Sequence, residues 1–146
     1  GLPHRCQQVA EIAGVSYVND SKGTNVGATI AALKGMGQGR NIVLIAGGQG
    51  KGADFGQLRE AVARHCKLLV LLGEDAPKMQ AALGDSAPVT LVSSMADAVS
   101  AAADAAGTGD VVLLSPACAS FDMFSGYINR GEVFCRAVEQ LREARI

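Results

Sequence analysis

Short apolar runs alternate along this chain with stretches in which apolar positions recur every three or four residues. Asn41–Ala46 (NIVLIA), Lys67–Leu72 (KLLVLL), Val89–Val92 and Val111–Leu114 (VVLL) are the runs. Their length and their Val, Ile and Leu content predict strands buried on both faces. Helical spacing marks Asn25–Leu33, Asp54–His65, Ala76–Leu83, Met95 to about Ala106, and Ile128–Ala144. Phe55, Leu58, Ala61, Val62 and His65 share one side of the second helix, and Val133, Phe134, Ala137, Val138 and Leu141 one side of the last. Asp54 and Ser94 fit N-cap positions, with Asp97 in a first turn. Ahead of this regular part, Arg5–Ala13 and Val15–Asn19 flank Gly14 and read as a hairpin.

Strands alternating with helices of this length predict parallel βαβ units with right-handed crossovers. The expected fold is a three-layer αβα, Rossmann-like α/β domain. Its sheet has about six strands, mostly parallel, with one antiparallel edge strand supplied by the hairpin. At 146 residues, without internal repeat or linker, the chain fits one domain. Open sheets of this kind bind ligands outside the carboxyl ends of their strands. The loops expected there are 19–25 (NDSKGTN), 47–54 (GGQGKGAD) and 115–122 (SPACASFD). Those at 73–75 and 93–94 are plainer.

Composition narrows the picture. Hydrophobic residues make up 49% of the chain, but aromatics only 4% with no tryptophan, so the core must be Val, Leu, Ile and Ala. Net charge is −1 without a basic or acidic block, which gives no electrostatic reason for binding nucleic acid or a membrane surface. No apolar run approaches the roughly 20 residues of a membrane span. Cys6, Cys66, Cys118 and Cys135 form no C-x-x-C pair and are expected to be buried or idle thiols in a reducing cytosol. The two histidines, His4 and His65, lack zinc-ligand spacing. The opening Gly1-Leu2-Pro3-His4-Arg5 is neither an initiator nor a signal peptide, and suggests a piece of something longer.

The three loops carry the candidate chemistry. Loop 47–54 follows a strand and opens a helix, so its amides and the helix dipole favour an anion, and Lys51 adds a full charge. It is not a P-loop, because position 45 is Ile and position 52 is Gly. Gly48-x-Gly50-x-x-Ala53, with Glu74 or Asp75 about twenty residues on, fits a relaxed dinucleotide fingerprint. A nicotinamide or flavin reader is thus one reading, and a plain tight turn another. In the first loop, Asp20 and Lys22 can point the same way if extended, or form a solvated pair worth little. Thr24 could cap the following helix. In the third loop, Ser115 and Ser120 are hydroxyl donors, and small Ala117, Cys118 and Ala119 would let a ligand approach the backbone. Cys118 reads either as a reactive thiol or as a small buried residue. Phe121, Phe124 and Tyr127 suit packing.

Taken together, Gly1–Arg5, 19–25, 47–55 and 114–122 resemble the C-terminal domain of the Mur ligases, specifically of those that add D-glutamate during peptidoglycan synthesis. The resemblance covers the whole chain, and the order of its motifs is more specific than any one of them. It implies ATP-dependent amide formation. The terminal carboxylate of UDP-MurNAc-L-alanine is phosphorylated, and the amine of D-glutamate attacks the acyl phosphate through a tetrahedral intermediate. Phosphate and ADP are released, with Mg2+ neutralising the phosphates. It further implies that Lys51 pairs with a D-glutamate carboxylate and that Thr24 and Ser120 hydrogen-bond the substrate. Tyr127 falls where the family often has Phe. Arg5, Asp20 and Lys22 would contact the nucleotide or reacting centre on closure, with Asp20 suited to ribose hydroxyls. The UDP-binding and central ATPase domains lie N-terminal in the family and are not in this sequence. On this reading 1–146 is a single D-glutamate-binding domain, monomeric and inactive alone, with ATP and Mg2+ held mainly elsewhere. The rivals are a dinucleotide-binding module of an oxidoreductase and a non-enzymatic interaction domain.

Overall fold

A computed structural model describes residues 2–145 of the chain. The hairpin comes first, as β1 (Gln7–Ile12) and β2 (Val15–Asn19) paired antiparallel. Ala13 and Gly14 both have positive φ (53° and 80°), the two-residue turn whose twist matches the flanking strands. Then follow α1 (Val26–Met36), β3 (Ile42–Gly47), a 3-10 turn (Phe55–Leu58), α2 (Arg59–His65), β4 (Cys66–Leu72) and α3 (Ala76–Leu83). The chain ends with β5 (Val89–Leu91), α4 (Met95–Ala105), β6 (Val111–Leu114) and α5 (Tyr127–Ala144).

All six strands form one sheet in the order β1-β2-β6-β3-β4-β5, parallel throughout except at the β1–β2 edge. The expected α/β architecture is therefore present. Alternate strand residues feed two cores. Leu44, Ala46, Leu69, Leu71 and Leu113 pack under α1, α2 and α3. Val43, Ile45, Val70, Val112 and Leu114 pack under α4 and α5. Full burial of each such Leu or Ile contributes about 1.5–3 kcal/mol. Aromatic anchors are few, with Phe55 in the first core and Tyr17 and Phe134 in the second.

The helix expected over Asp54–His65 starts as a 3-10 turn. Asp54 caps that turn by accepting from the Gly56 amide at 3.0 Å, and the α-geometry begins only at Arg59. Ser94 caps α4 as expected, accepting from the Asp97 amide at 3.1 Å.

The strand order brings the candidate loops together. β2, β6 and β3 are neighbours, and they end at Asn19, Leu114 and Gly47. Loops 20–25, 115–122 and 48–54 therefore leave the sheet side by side, where the strand order reverses.

Candidate functional site

Backbone hydrogen bonds stitch the three loops to one another. Asp20 N donates to Leu114 O at 2.7 Å, and Ser115 N to Ile45 O at 3.2 Å. Gly47 N donates to Pro116 O at 3.0 Å, and Ala117 N to Gly23 O at 2.8 Å. Gln49 and Ala119 exchange two bonds of 2.9 Å as an isolated antiparallel bridge. Gly47 is required in this arrangement: its φ is 128°, and a β-carbon there would run into the Leu72 carbonyl.

Two grooves open on this surface. One, of about 640 Å3, is lined by Thr24 from the first loop, Lys51 from the second, and Ala119 and Ser120 from the third, with Tyr127 and Glu132 of α5. It thus gathers all four residues assigned to D-glutamate by resemblance. It also lies at the N-terminus of the 18-residue α5, where the helix dipole is positive. Lys51 is exposed and has φ 52°, a left-handed turn that aims it from an otherwise tied-down loop. Ser120 sits at the base of the groove, only 2% exposed. The second groove, of about 750 Å3, is lined by Arg5, Cys6, Asp20, Lys22 and Gly23 together with one side of α1. It gathers the three residues assigned to nucleotide contact and closure. Thr24 and Tyr127 line both grooves. Lys22 Nζ lies 5.2 Å from the centre of the Tyr127 ring, and the His4 ring meets the same tyrosine edge-on at 6.2 Å.

Several finer expectations are corrected. The first loop is not extended: Gly23 N donates to Asp20 O and Thr24 N to Lys22 O, each at 2.8 Å. Asp20 is not a solvated partner of Lys22. It is 5% exposed, and its carboxylate accepts from Ser115 Oγ at 2.7 Å and from Cys6 N at 3.2 Å. Ser115 is accordingly buried behind the surface, bridging Asp20 and Thr29, and faces no groove. Thr24 does not cap α1. Asn25 does, accepting from Ala28 N at 2.9 Å, which leaves the Thr24 side chain to the grooves. Ala117 and Cys118 are buried, and their small size serves packing between loops rather than a ligand. Burial pushes the Cys118 thiol up to about 12, so it stays protonated and inert. Of the thiols expected to be buried or idle, Cys6 is exposed, and Phe121 is 67% exposed at the rim rather than packed.

The dinucleotide fingerprint also fails on geometry. The Gly50 amide that would face a pyrophosphate donates instead to Asp75 Oδ2 at 2.7 Å, so the acid of the fingerprint holds the loop itself. A β-carbon on Gly50 would strike the Phe55 ring, which makes that glycine a packing requirement. The Gly47 and Gln49 amides are likewise spent on carbonyls.

Sequence reasoning missed Arg130. It is 2% exposed on the inner face of α5, and its guanidinium reaches two loops at once. Nε donates to Ser21 Oγ at 3.0 Å, Nη2 to Ser21 O at 2.8 Å and Nη1 to Cys118 O at 2.9 Å. Ser21 Oγ donates in turn to the Tyr127 carbonyl at 2.6 Å. No carboxylate lies within ion-pair distance of Arg130 among the described residues. Burial lowers it to about 10, which keeps it charged at neutral pH. A signal was present: residue 130 continues the inward stripe of Phe134, Val138 and Leu141, where a charge is out of place.

Comparison with known proteins bears on the fold and the family. Residues 4–118 match the family model described as "Mur ligase, glutamate ligase domain". A UDP-N-acetylmuramoylalanine--D-glutamate ligase of Pseudomonas fluorescens (strain Pf0-1) is 54% identical over 143 residues, covering 97% of this chain and 32% of the relative. Its namesake in Legionella pneumophila (strain Lens) is 56% identical over 144 residues, with the same coverage. The chain thus spans about a third of the length of these curated relatives. Among solved structures, the fold is shared with MurF ligase from Thermotoga maritima in complex with ADP. That match has a TM-score of 0.69 at 16% identity over 100% of this chain and 33% of that one. E. coli FolC in complex with ADP matches with a TM-score of 0.62 at 20% identity, over 99% of this chain and 32% of the other. With most of its length inside the family model, and with the matching fold, this chain belongs to the Mur ligase family, as a glutamate ligase domain.

Proposed function

We propose that this chain is the amino-acid-binding part of a cytoplasmic, ATP-dependent ligase that joins D-glutamate to UDP-MurNAc-L-alanine in peptidoglycan synthesis. The observation that carries this reading is the single groove that collects Lys51, Thr24, Ser120 and Tyr127 from separate loops and α5. Lys51 and the α5 N-terminus supply the positive field that a dicarboxylate needs. Thr24 and Ser120 supply hydroxyl donors, and the Tyr127 ring an apolar wall. The neighbouring groove, with Arg5 and Lys22, faces the phosphates, and Asp20 fixes the loop that carries Lys22. The work of these residues is positioning. They hold the amine of D-glutamate for attack on an acyl phosphate formed in the rest of the enzyme, and a bound reactant gains chiefly from orientation.

ATP and Mg2+ are assigned mainly to the preceding domains of the full enzyme. No group of three or more His, Cys, Asp or Glu side chains able to hold a metal occurs among the described residues. No helix among them is long and apolar enough to cross a membrane. The chain works as a monomer.

Turnover and ligand binding test the proposal. A full-length ligase carrying this sequence as its C-terminal part releases phosphate from ATP only when both D-glutamate and UDP-MurNAc-L-alanine are present. In a titration followed by amide chemical shifts, D-glutamate moves Thr24, Lys51, Ser120 and Tyr127. Stabilisation by NAD(H) or NADP(H) alone, abolished by Glu74→Ala, would favour a dinucleotide module instead. A chain that responds to neither would point to an interaction domain.

A further inference from the structure

Arg130 lines neither groove, yet its acceptors lie next to almost everything that does. Ser21 is just before Lys22 and three residues before Thr24, and Cys118 is two before Ser120. The Tyr127 carbonyl, tied through Ser21 Oγ, belongs to a groove residue itself. We propose that Arg130 is a positioning residue that sets the first loop, the third loop and the start of α5 in the one register that assembles the amino-acid groove. This rests on the reading of that groove as the D-glutamate site.

Three features support the assignment. The bonds to Ser21 and Cys118 use all three guanidinium nitrogens, and a rigid planar fork transmits a fixed spacing between segments that no backbone ladder joins directly. The hydrogen-bond acceptors are neutral, two carbonyls and a hydroxyl, and Asp122 acts on the guanidinium through its charge without forming an ion pair. An apolar residue of similar volume would avoid its desolvation cost, which makes stability alone a poor reason for an arginine at this place. Finally, among the described residues the two loops are tied to each other by the Ala117 N–Gly23 O bond and the Asp20–Ser115 contact. Arg130 adds the tie from the helix side.

Lysine at 130 keeps the charge but replaces the fork with a single nitrogen that cannot span the same acceptors. Arg130→Lys and Arg130→Met are therefore expected to share one defect. In the full-length ligase the KM for D-glutamate rises about ten-fold or more, because small misplacements of binding groups cost that much. The KM for the UDP-precursor stays within about two-fold, and kcat falls less than the D-glutamate KM rises. In the 146-residue chain, Arg130→Lys shifts the amides of 20–24, 118–120 and 126–128 and leaves those of β3 and β4 in place. Full rescue by lysine, an unchanged D-glutamate KM in a folded variant, or shift changes spread evenly through the sheet would each overturn the proposal. Should both substitutions at 130 prevent folding, Ser21→Ala removes one acceptor and leaves the two carbonyl bonds. A smaller rise in D-glutamate KM is then expected, and none overturns the assignment. A wild-type ligase that ignores D-glutamate sinks the functional reading instead, and the shift map alone then decides on Arg130.

Discussion

Lys51 is the cation of the groove it shares with Thr24, Ser120 and Tyr127, and it stands in a left-handed backbone conformation. Asparagine tolerates that conformation better than other non-glycine residues, so Lys51→Asn removes the charge without disturbing the turn. Its expected cost to stability is under about 0.5 kcal/mol, as for an exposed position. Its expected effect on the D-glutamate KM of the full-length ligase is about ten-fold or more, the loss of a charge-assisted bond. Thermal melts and steady-state kinetics check the two halves separately. The thiols give a pH dependence. Burial pushes Cys66 and Cys118 from the ordinary 9.0 up to about 12. The folded state holds these protons more tightly than the unfolded one, so their contribution is complete below about pH 9 and is lost as pH rises towards 12. Denaturation curves from pH 7 to 11 should stay level to about 9 and then fall, and Cys118→Ala should flatten the fall. At this scale sequence reading named Lys51, Thr24, Ser120 and Tyr127 through resemblance, and all four line one groove. It placed Ser115 wrongly, because whether a loop hydroxyl faces water or a carboxylate such as Asp20 depends on the neighbouring strand.

Strands and helices were the most legible part of the molecule. Parallel strands covered on both faces must be continuous apolar runs, and the turn and cap residues between them are local. Two details were hidden. Asn25 rather than Thr24 caps α1, and Asp54 opens a 3-10 turn rather than an α-helix, since both choices are settled by what the loop touches. Asn25→Ala should cost about 1 kcal/mol, the usual worth of an N-cap bond, read as a lowered denaturation midpoint. Gly47→Ala is a far harsher change. It combines a positive φ with backbone in the way, at the end of the central strand β3. We expect a loss above about 3 kcal/mol, on the scale of core disruption, seen as insoluble or molten protein.

The whole molecule adds what neither residues nor elements contain, namely which loops are neighbours. The sequence marks five loops after strands and singles out three by composition. Only the order β2-β6-β3 makes those three adjacent. That order depends on long-range strand pairing, with β6 entering between two strands whose paired residues lie 95 and 69 positions earlier, and no local pattern encodes it. The same scale governs activity. With the chain at about a third of its relatives' length, the 146 residues alone should release no phosphate from ATP in the presence of D-glutamate and UDP-MurNAc-L-alanine. Measurable turnover by the chain would contradict this division of labour between the domains.

Thr24 and Tyr127 form a party wall, one side to each groove. For inhibitor design this means that two weak fragments can be joined over a single ring. A carboxylate seated at Lys51 and an anionic group at Lys22 and Arg5, joined by a short linker, would each raise the other's effective concentration into the millimolar range or above. The gain would be greatest for linkers stiff enough to lie across the tyrosine face, and Tyr127→Ala would penalise the joined molecule more than either half.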